Sequence, residues 1–121
     1  MLKKNPKTRC VKRCLSKSTD ICRCYNAIQV AYADILQARD DVESFTSNMP
    51  LQGFECGDYT SDFYVKMTGG TFMVRECVCR KHLTKPLTVR LLDASRDYWL
   101  QHGVTNWGIV TDKEAGDAVQ G

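Results

Sequence analysis

Two acidic residues on neighbouring strand-like segments are the side chains of this sequence best suited to chemistry. Asp62 lies in the segment YTSDFYVKM, Glu76 lies in TFMVRECVC, and Thr68-Gly69-Gly70 joins the two segments. A Gly-Gly pair between such segments predicts a β-hairpin. Because strand side chains alternate between faces, Asp62 shares a side with Tyr64, and Glu76 is available to meet it from the second strand.

Two carboxylates that converge in this way form a hard-oxygen site for Mg²⁺ or Mn²⁺, the ions that assist phosphodiester hydrolysis. The alternative is that both acids are solvated on the exposed face of a sheet, where charged strand residues are common. The hairpin by itself leaves both interpretations open.

The composition is that of one soluble globular domain of 121 residues. No apolar run approaches the eighteen or more residues that a membrane span needs, and the basic start MLKKNPKTRC has no apolar segment behind it. The sequence therefore predicts a cytoplasmic protein without membrane contact. Seven cysteines without an export signal predict reduced thiols.

Positive charge is concentrated at the N-terminus. Residues 1–24 carry eight Lys and Arg against the single acid Asp20, whereas the remaining 97 residues carry nine basic and thirteen acidic side chains. We predict an arm at 1–17 and one domain at 18–121. The arm is either a contact for nucleic acid, which Lys and Arg bind by releasing counterions, or a solubilising tail. Its candidate DNA-binding residues are Lys3, Lys4, Lys7, Arg9, Lys12 and Arg13.

Four cysteines in and after this arm raise the question of zinc. Cys10, Cys14, Cys22 and Cys24 have the spacing C-x₃-C-x₇-C-x-C. Structural zinc sites usually pair their ligands as C-x₂₋₄-C twice, so the C-x-C spacing argues against zinc here.

Hydrophobic periodicity predicts an α/β fold with a mixed sheet and flanking helices in the order αβββαβ. A stripe including Ile28 and Tyr32 predicts a first helix at about 19–38, and Gln29 flanks that stripe as a core-edge residue. The other expected elements are a strand at 51–55, the hairpin, a helix from Pro86 to Gly103, a strand at 104–111 and a short helix from Thr111. The strand–helix–strand unit should make its two strands parallel.

Two longer stretches carry a family resemblance. DDVESFTSNMPLQGFECGDYTSDFYVKMTGGTFMVREC and KPLTVRLLDASRDYWLQHGVTNWGIVTDKE resemble the N-terminal endonuclease domain of TnsA-like transposase subunits, from about Asn26 to Glu114. Those domains belong to the restriction-endonuclease-like, PD-(D/E)xK, superfamily. The resemblance implies that fold, and it implies that Asp62 and Glu76 bind metal together with the backbone carbonyl of Cys77.

The same resemblance implies that two functional side chains of the family are absent from this sequence. The helix acid of the family falls on Gln29, and the lysine falls on Val78. A missing cation of this kind lowers the rate by about 10²–10³-fold. Lys66, Arg80 and Lys81 are candidates for a relocated cation.

Two functions are therefore expected from the sequence. One is a Mg²⁺- or Mn²⁺-dependent DNA endonuclease that uses Asp62 and Glu76, with Gln29 as a minor ligand. The other, favoured by the chemistry, is a nuclease-fold protein with lost or weakened catalysis that acts as a DNA-binding or assembly subunit. The second could be a bacteriophage head-completion or other virion component, with a protein partner or a second copy of the chain.

Overall fold

The computed structural model describes residues 10–113. Its elements, in chain order, are β1 (Val11–Arg13), β2 (Cys22–Cys24), α1 (Ala27–Ala38), β3 (Val42–Pro50), β4 (Thr60–Met67), β5 (Phe72–Cys77), a 3₁₀ helix (Arg80–His82), α2 (Pro86–Gln101) and β6 (Asn106–Val110). The protein is thus a mixed α/β structure with two α-helices in the described part of the chain.

A four-stranded mixed sheet in the order β3-β4-β5-β6 forms the centre of the fold. The predicted hairpin is confirmed as β4 and β5, which pair antiparallel around a turn where Gly70 has a φ of 87°. Only glycine adopts such a φ without strain, so Gly70 permits the tight reversal. β5 and β6 pair in parallel, as predicted for the strand–helix–strand unit that contains α2.

The two helices lie on opposite faces of this sheet. Under α1, Tyr32 and Leu36 pack with the strand residues Phe63 and Val65. Under α2, Leu91 and Trp99 pack with Val74 and partly buried aromatic residues of the strands. Adjacent strand residues therefore contribute to different cores, which is the alternation that a sheet covered on both faces requires.

The first helix begins eight residues later than the sequence predicted. Asn26 caps it by accepting a hydrogen bond from the Gln29 backbone N–H at 2.9 Å, and residues 22–24 form β2 instead. An asparagine whose side chain satisfies an unpaired N–H stabilises a helix start, and this local bond fixes the boundary. The stripe that α1 buries is Gln29, Tyr32, Ala33 and Leu36.

The first strand of the sheet is also displaced from its predicted position. The sequence placed it at 51–55, but β3 spans Val42–Pro50 and residues 51–59 are turns and loop, in which Cys56 lies. Residues 42–53 contain Ser, Asn, Pro and Gly, which are typical of a connection between elements. Pairing with β4 along almost the whole length of β3 overrides that local preference.

The described part of the predicted arm, residues 10–17, lies against the domain. β1 pairs with β2, and the Lys17 carbonyl accepts a hydrogen bond from the Phe45 N–H at 2.9 Å. Four of the predicted DNA-binding residues fall outside the described part of the chain: Lys3, Lys4, Lys7 and Arg9. The short helix predicted from Thr111 also lies outside it beyond Lys113. Within residues 10–113, neither helix has the length and apolar character needed to cross a bilayer.

Candidate functional site

Along β3 and β4, side chains stop alternating regularly between the two faces of the sheet at one point. This point is Asn48 on β3 and Asp62 on β4. Ser61 and Phe63 are two residues apart and should share a face, yet Ser61 contacts Ser95 and Trp99 of α2 whereas Phe63 packs in the α1 core. The flanking pairs in the β3–β4 register are Met49 with Ser61 and Ser47 with Phe63. β4 therefore changes phase at Asp62.

Asn48 provides the backbone conformation for this reversal on β3. It has a φ of 54° between Ser47 and Met49, and its side-chain NH₂ donates to the Arg23 carbonyl at 2.7 Å. Asparagine adopts the left-handed conformation more readily than most residues, especially when its amide is held locally. The predicted common face of Asp62 and Tyr64 is thus wrong, because Asp62 lies on the α1 side and Tyr64 stacks on Trp99 of α2.

The Glu76 carboxylate is fully buried and receives several internal hydrogen bonds. Its Oε2 accepts from the Ser61 hydroxyl at 2.6 Å and from the Ser95 hydroxyl at 2.7 Å, and its Oε1 accepts from the Asp62 N–H at 3.2 Å. The two serine hydroxyls in turn accept from the indole N–H groups of Trp99 and Trp107. These three hydrogen bonds satisfy the buried carboxylate. Burying a carboxylate without hydrogen-bond partners would lower the stability of the fold.

Asp62 is buried too, and its Oδ2 accepts from the Cys77 N–H at 2.7 Å. Each of the two acids therefore binds a backbone N–H from the opposite strand, just beyond the last β4–β5 pair, Phe63 with Arg75. The carboxylates replace ladder hydrogen bonds where the strands separate. The interpretation of both acids as solvated surface residues is wrong, since they are 4% and 0% exposed.

Asp62 opens onto a cleft of about 200 Å³ at this end of the sheet. The lining residues are Asn26, Ile28, Tyr59, Asp62, Cys77, Val78, Cys79 and His82. Burial raises the pKa of Tyr59, and the negative charges of Glu76 and Asp62 raise this pKa further. The Tyr59 phenol thus stays protonated and brings one neutral donor to the neighbourhood of both acids.

Gln29 is fixed by hydrogen bonds at both ends of its amide. Its Oε1 accepts from the Tyr25 N–H at 2.9 Å, and its Nε2 donates to Asn48 Oδ1 at 3.0 Å. The side chain is 0% exposed. These contacts join the start of α1 to β3, which is the role of a core glutamine and not of a metal ligand.

Two of the three cations proposed to replace the missing lysine have partners elsewhere. Lys66 pairs with Glu43 at 3.0 Å, and Arg80 binds Asp112 through its backbone N–H at 2.8 Å and its guanidinium at 3.3 Å. Lys81 is exposed on the 3₁₀ helix. Val78, at the family's lysine position, is buried at the wall of the cleft.

The Glu76 carboxylate is already engaged within the protein. Mg²⁺ binds oxygen ligands, and at Glu76 it would have to share or displace the hydrogen bonds from the Ser61 hydroxyl and the Asp62 N–H. Nowhere in residues 10–113 do three or more His, Cys, Asp or Glu side chains come together as a metal site. Zinc at Cys10, Cys14, Cys22 and Cys24 is accordingly unsupported.

Two of those cysteines do lie together. The sulfurs of Cys22 and Cys24 are 3.7 Å apart and buried in the α1 core. Hydrogen bonding between the two thiols lowers the pKa of Cys22 to about 7 and raises the pKa of Cys24.

The described residues of the predicted DNA-binding arm differ in their contacts. Lys12 is exposed on β1. Arg13 forms an ion pair with Asp34 at 2.6 Å and donates to the Val30 carbonyl at 3.3 Å. Arg13 thus anchors β1 to α1, and its guanidinium is largely engaged within the protein.

Sequence reasoning missed three cleft residues: Asn26, Tyr59 and His82. Asn26 carried a recognisable signal, because it stands three residues before Gln29 in the pattern of a helix cap. No sequence signal marked Tyr59 or His82 as cleft residues, because their position in the cleft depends on where β4 and β5 separate.

Comparison with known proteins gives no assignment. No protein-family model matches the chain, and no curated protein matches it.

Proposed function

We propose that this protein has a nuclease-type fold related to TnsA-like endonucleases and acts as a DNA-binding or assembly subunit without efficient hydrolysis. The element order from α1 to β6, with the acids at the open end of a hairpin, supports the relationship. The resemblance in sequence over Asn26 to Glu114 supports it independently.

The hydrogen bonding of Glu76 is the observation that carries the proposal. A catalytic carboxylate needs oxygens that can bind metal or water, whereas those of Glu76 are held by Ser61, Ser95 and the Asp62 N–H. Gln29 is held in a similar way by Tyr25 and Asn48. Two of the positions that the resemblance assigns to the metal site, 76 and 29, therefore stabilise the fold in this protein.

Basic residues at the surface support binding to DNA. Lys12 on β1 and Lys81 beside the cleft are exposed, and His82 reaches the cleft wall. Contacts between such side chains and phosphates supply affinity without sequence information. Together with the basic residues at 1–9, they suit a polyanionic partner.

The test of DNA binding is the salt dependence of affinity for a short labelled duplex, measured by fluorescence anisotropy. For the full chain we expect binding that weakens steeply with salt. Replacing Lys3, Lys4, Lys7 and Arg9 together by alanine should reduce the slope of log K against log salt by about 3.6, because each phosphate that a Lys or Arg neutralises contributes about 0.9 to this slope.

Lys66→Ala is the matched control, because Lys66 is exposed but paired with Glu43 on the sheet. We expect its slope to equal that of the unmodified protein. No measurable binding, or equal slopes for the fourfold variant and the control, would refute the contact between the arm and DNA.

The competing function is that of an active Mg²⁺- or Mn²⁺-dependent DNA endonuclease. The cleft beside Asp62 is the feature that favours it, since a buried carboxylate and the His82 side chain line the same cavity. That function requires Glu76 to exchange its internal hydrogen bonds for metal, so we place it second.

A further inference from the structure

A groove beside α2 is a surface feature that the proposed function does not use. It has a volume of about 600 Å³ and is lined by the loop at 51–59 and by α2. Pro86 and Val89 give it an apolar wall, and Val89 is 44% exposed. A segment of another chain that laid apolar side chains on this wall would remove both surfaces from water.

The polar lining of the groove is mainly acidic. Glu55 comes from the loop, and Asp93 and Asp97 come from successive turns of α2, against the single basic lining residue Arg90. Asp93 pairs with Arg96 at 3.9 Å, and the other two acids form no ion pair in the described part of the chain. Three acids against one base leave the groove negative, so a partner of complementary charge is basic.

Residues 1–9 of this same sequence have the matching chemistry. Four of these nine residues are basic and none is acidic: Lys3, Lys4, Lys7 and Arg9. The segment also contains the apolar residues Met1 and Leu2. It can therefore pair its cations with the acids of the groove and lay apolar side chains on the wall at Val89.

The position of β1 favours a second copy, and not the same chain, as the source of this segment. β1 is held to α1 by the ion pair of Arg13 with Asp34, whereas the groove lies on α2, at the opposite face of the sheet. Lys7 precedes Cys10 by three residues, which span at most about 11 Å of extended chain. That length is about the diameter of one helix and is too short to pass round the sheet to its other face.

From these observations we propose that residues 1–9 of one copy of this chain dock in the acidic groove beside α2 of a second copy. The contact joins two different surfaces, so it is heterologous and links copies into rings or open chains. It specifies how the assembly role in the proposed function would operate, and it rests on that role. Its test contains no DNA, so failure of this contact and failure of DNA binding are separate results.

Sedimentation equilibrium of the full chain over a range of protein concentrations measures the association. We expect an average mass above that of one chain at low salt and a decrease as salt is added, because exposed ion pairs are screened. A groove variant, Asp93→Lys with Asp97→Lys, should raise the dissociation constant at least about tenfold, because attraction becomes repulsion. An N-terminal variant, Lys3→Glu with Lys4→Glu and Lys7→Glu, should do the same.

Mixing these two variants gives a result that a folding defect cannot imitate. Each variant alone brings like charges together, whereas in the mixture every segment meets a groove of opposite charge. The mixture should therefore associate at least about tenfold more tightly than either variant alone. Asp40→Lys with Glu43→Lys makes the same change of charge at exposed acids outside the groove and should associate like the unmodified protein.

Three results would overturn the inference. The first is a mass that stays that of one chain at every concentration. The second is an equal dissociation constant for the groove variant and the control with lysine at positions 40 and 43. The third is a mixture that associates no better than its components, which would assign residues 1–9 to their own groove or to a different partner.

Discussion

Glu76→Ala should lower the free energy of unfolding by about 4 kcal/mol, the largest loss that we expect from one substitution outside the apolar core. Removing a buried, hydrogen-bonded carboxylate creates a cavity and leaves the Ser61 and Ser95 hydroxyls and the Asp62 N–H without their acceptor, and such changes typically cost about 3–5 kcal/mol. Denaturant unfolding followed by tryptophan fluorescence measures it.

Two further variants test whether the loss comes from this network. Glu76→Gln should lose less, about 2 kcal/mol, because it fills the same space and its oxygen can still face the Asp62 N–H. The cost comes from the Ser61 and Ser95 hydroxyls, which already accept from Trp99 and Trp107 and would lose the acceptor for their protons. Glu43→Ala removes an exposed acid paired with Lys66 and should change stability by less than about 1 kcal/mol. If Glu76→Ala were as stable as Glu43→Ala, the structural role of Glu76 would be refuted.

Gln29→Glu should destabilise the protein by about 3 kcal/mol, although an acid is what the family resemblance implies at this position. The new carboxylate oxygen would face Asn48 Oδ1, now 3.0 Å from the Gln29 Nε2, so a donor–acceptor contact becomes a repulsion in a fully buried site. Asn48 cannot simply turn its amide, because its NH₂ donates to the Arg23 carbonyl. Thermal and denaturant unfolding measure the loss.

Gln37 on the same helix is the matched control. Its Nε2 donates to the Ser16 hydroxyl at 2.7 Å and its Oε1 accepts from the Lys17 N–H at 3.1 Å. A hydroxyl can reverse its role and donate to a carboxylate, so Gln37→Glu should cost less than about 0.5 kcal/mol. Equal stability of the two variants would show that position 29 still accommodates an acid.

The sequence predicted the elements whose signals are local. Gly69-Gly70 marked the hairpin, and apolar spacing between Pro86 and Gly103 marked α2, which the structure places at Pro86–Gln101. The parallel pairing of β5 and β6 followed from the strand–helix–strand order. In each case, a turn residue or a helical period is sufficient to specify the element.

The features that the sequence did not predict depend on long-range pairing. β3 contains polar residues that resemble a loop, and only its register with β4 makes it a strand. The phase reversal at Asn48 and Asp62 changes the face that Asp62 occupies, and a period-two pattern cannot reveal it. Asp62 and Glu76 are both buried, and their hydrogen-bond partners come from three separate segments, which no local sequence pattern specifies.

Plasmid nicking with Mg²⁺ or Mn²⁺ is the measurement that tests the central claim most directly. The substrate is supercoiled plasmid, and the proteins compared are the unmodified chain, Asp62→Ala and Glu76→Gln, which is chosen because it should remain folded. If Glu76 is structural, all three proteins should leave the plasmid supercoiled to the same extent, while the unmodified chain still binds DNA. Metal-dependent nicking by the unmodified protein that both substitutions abolish would contradict the account.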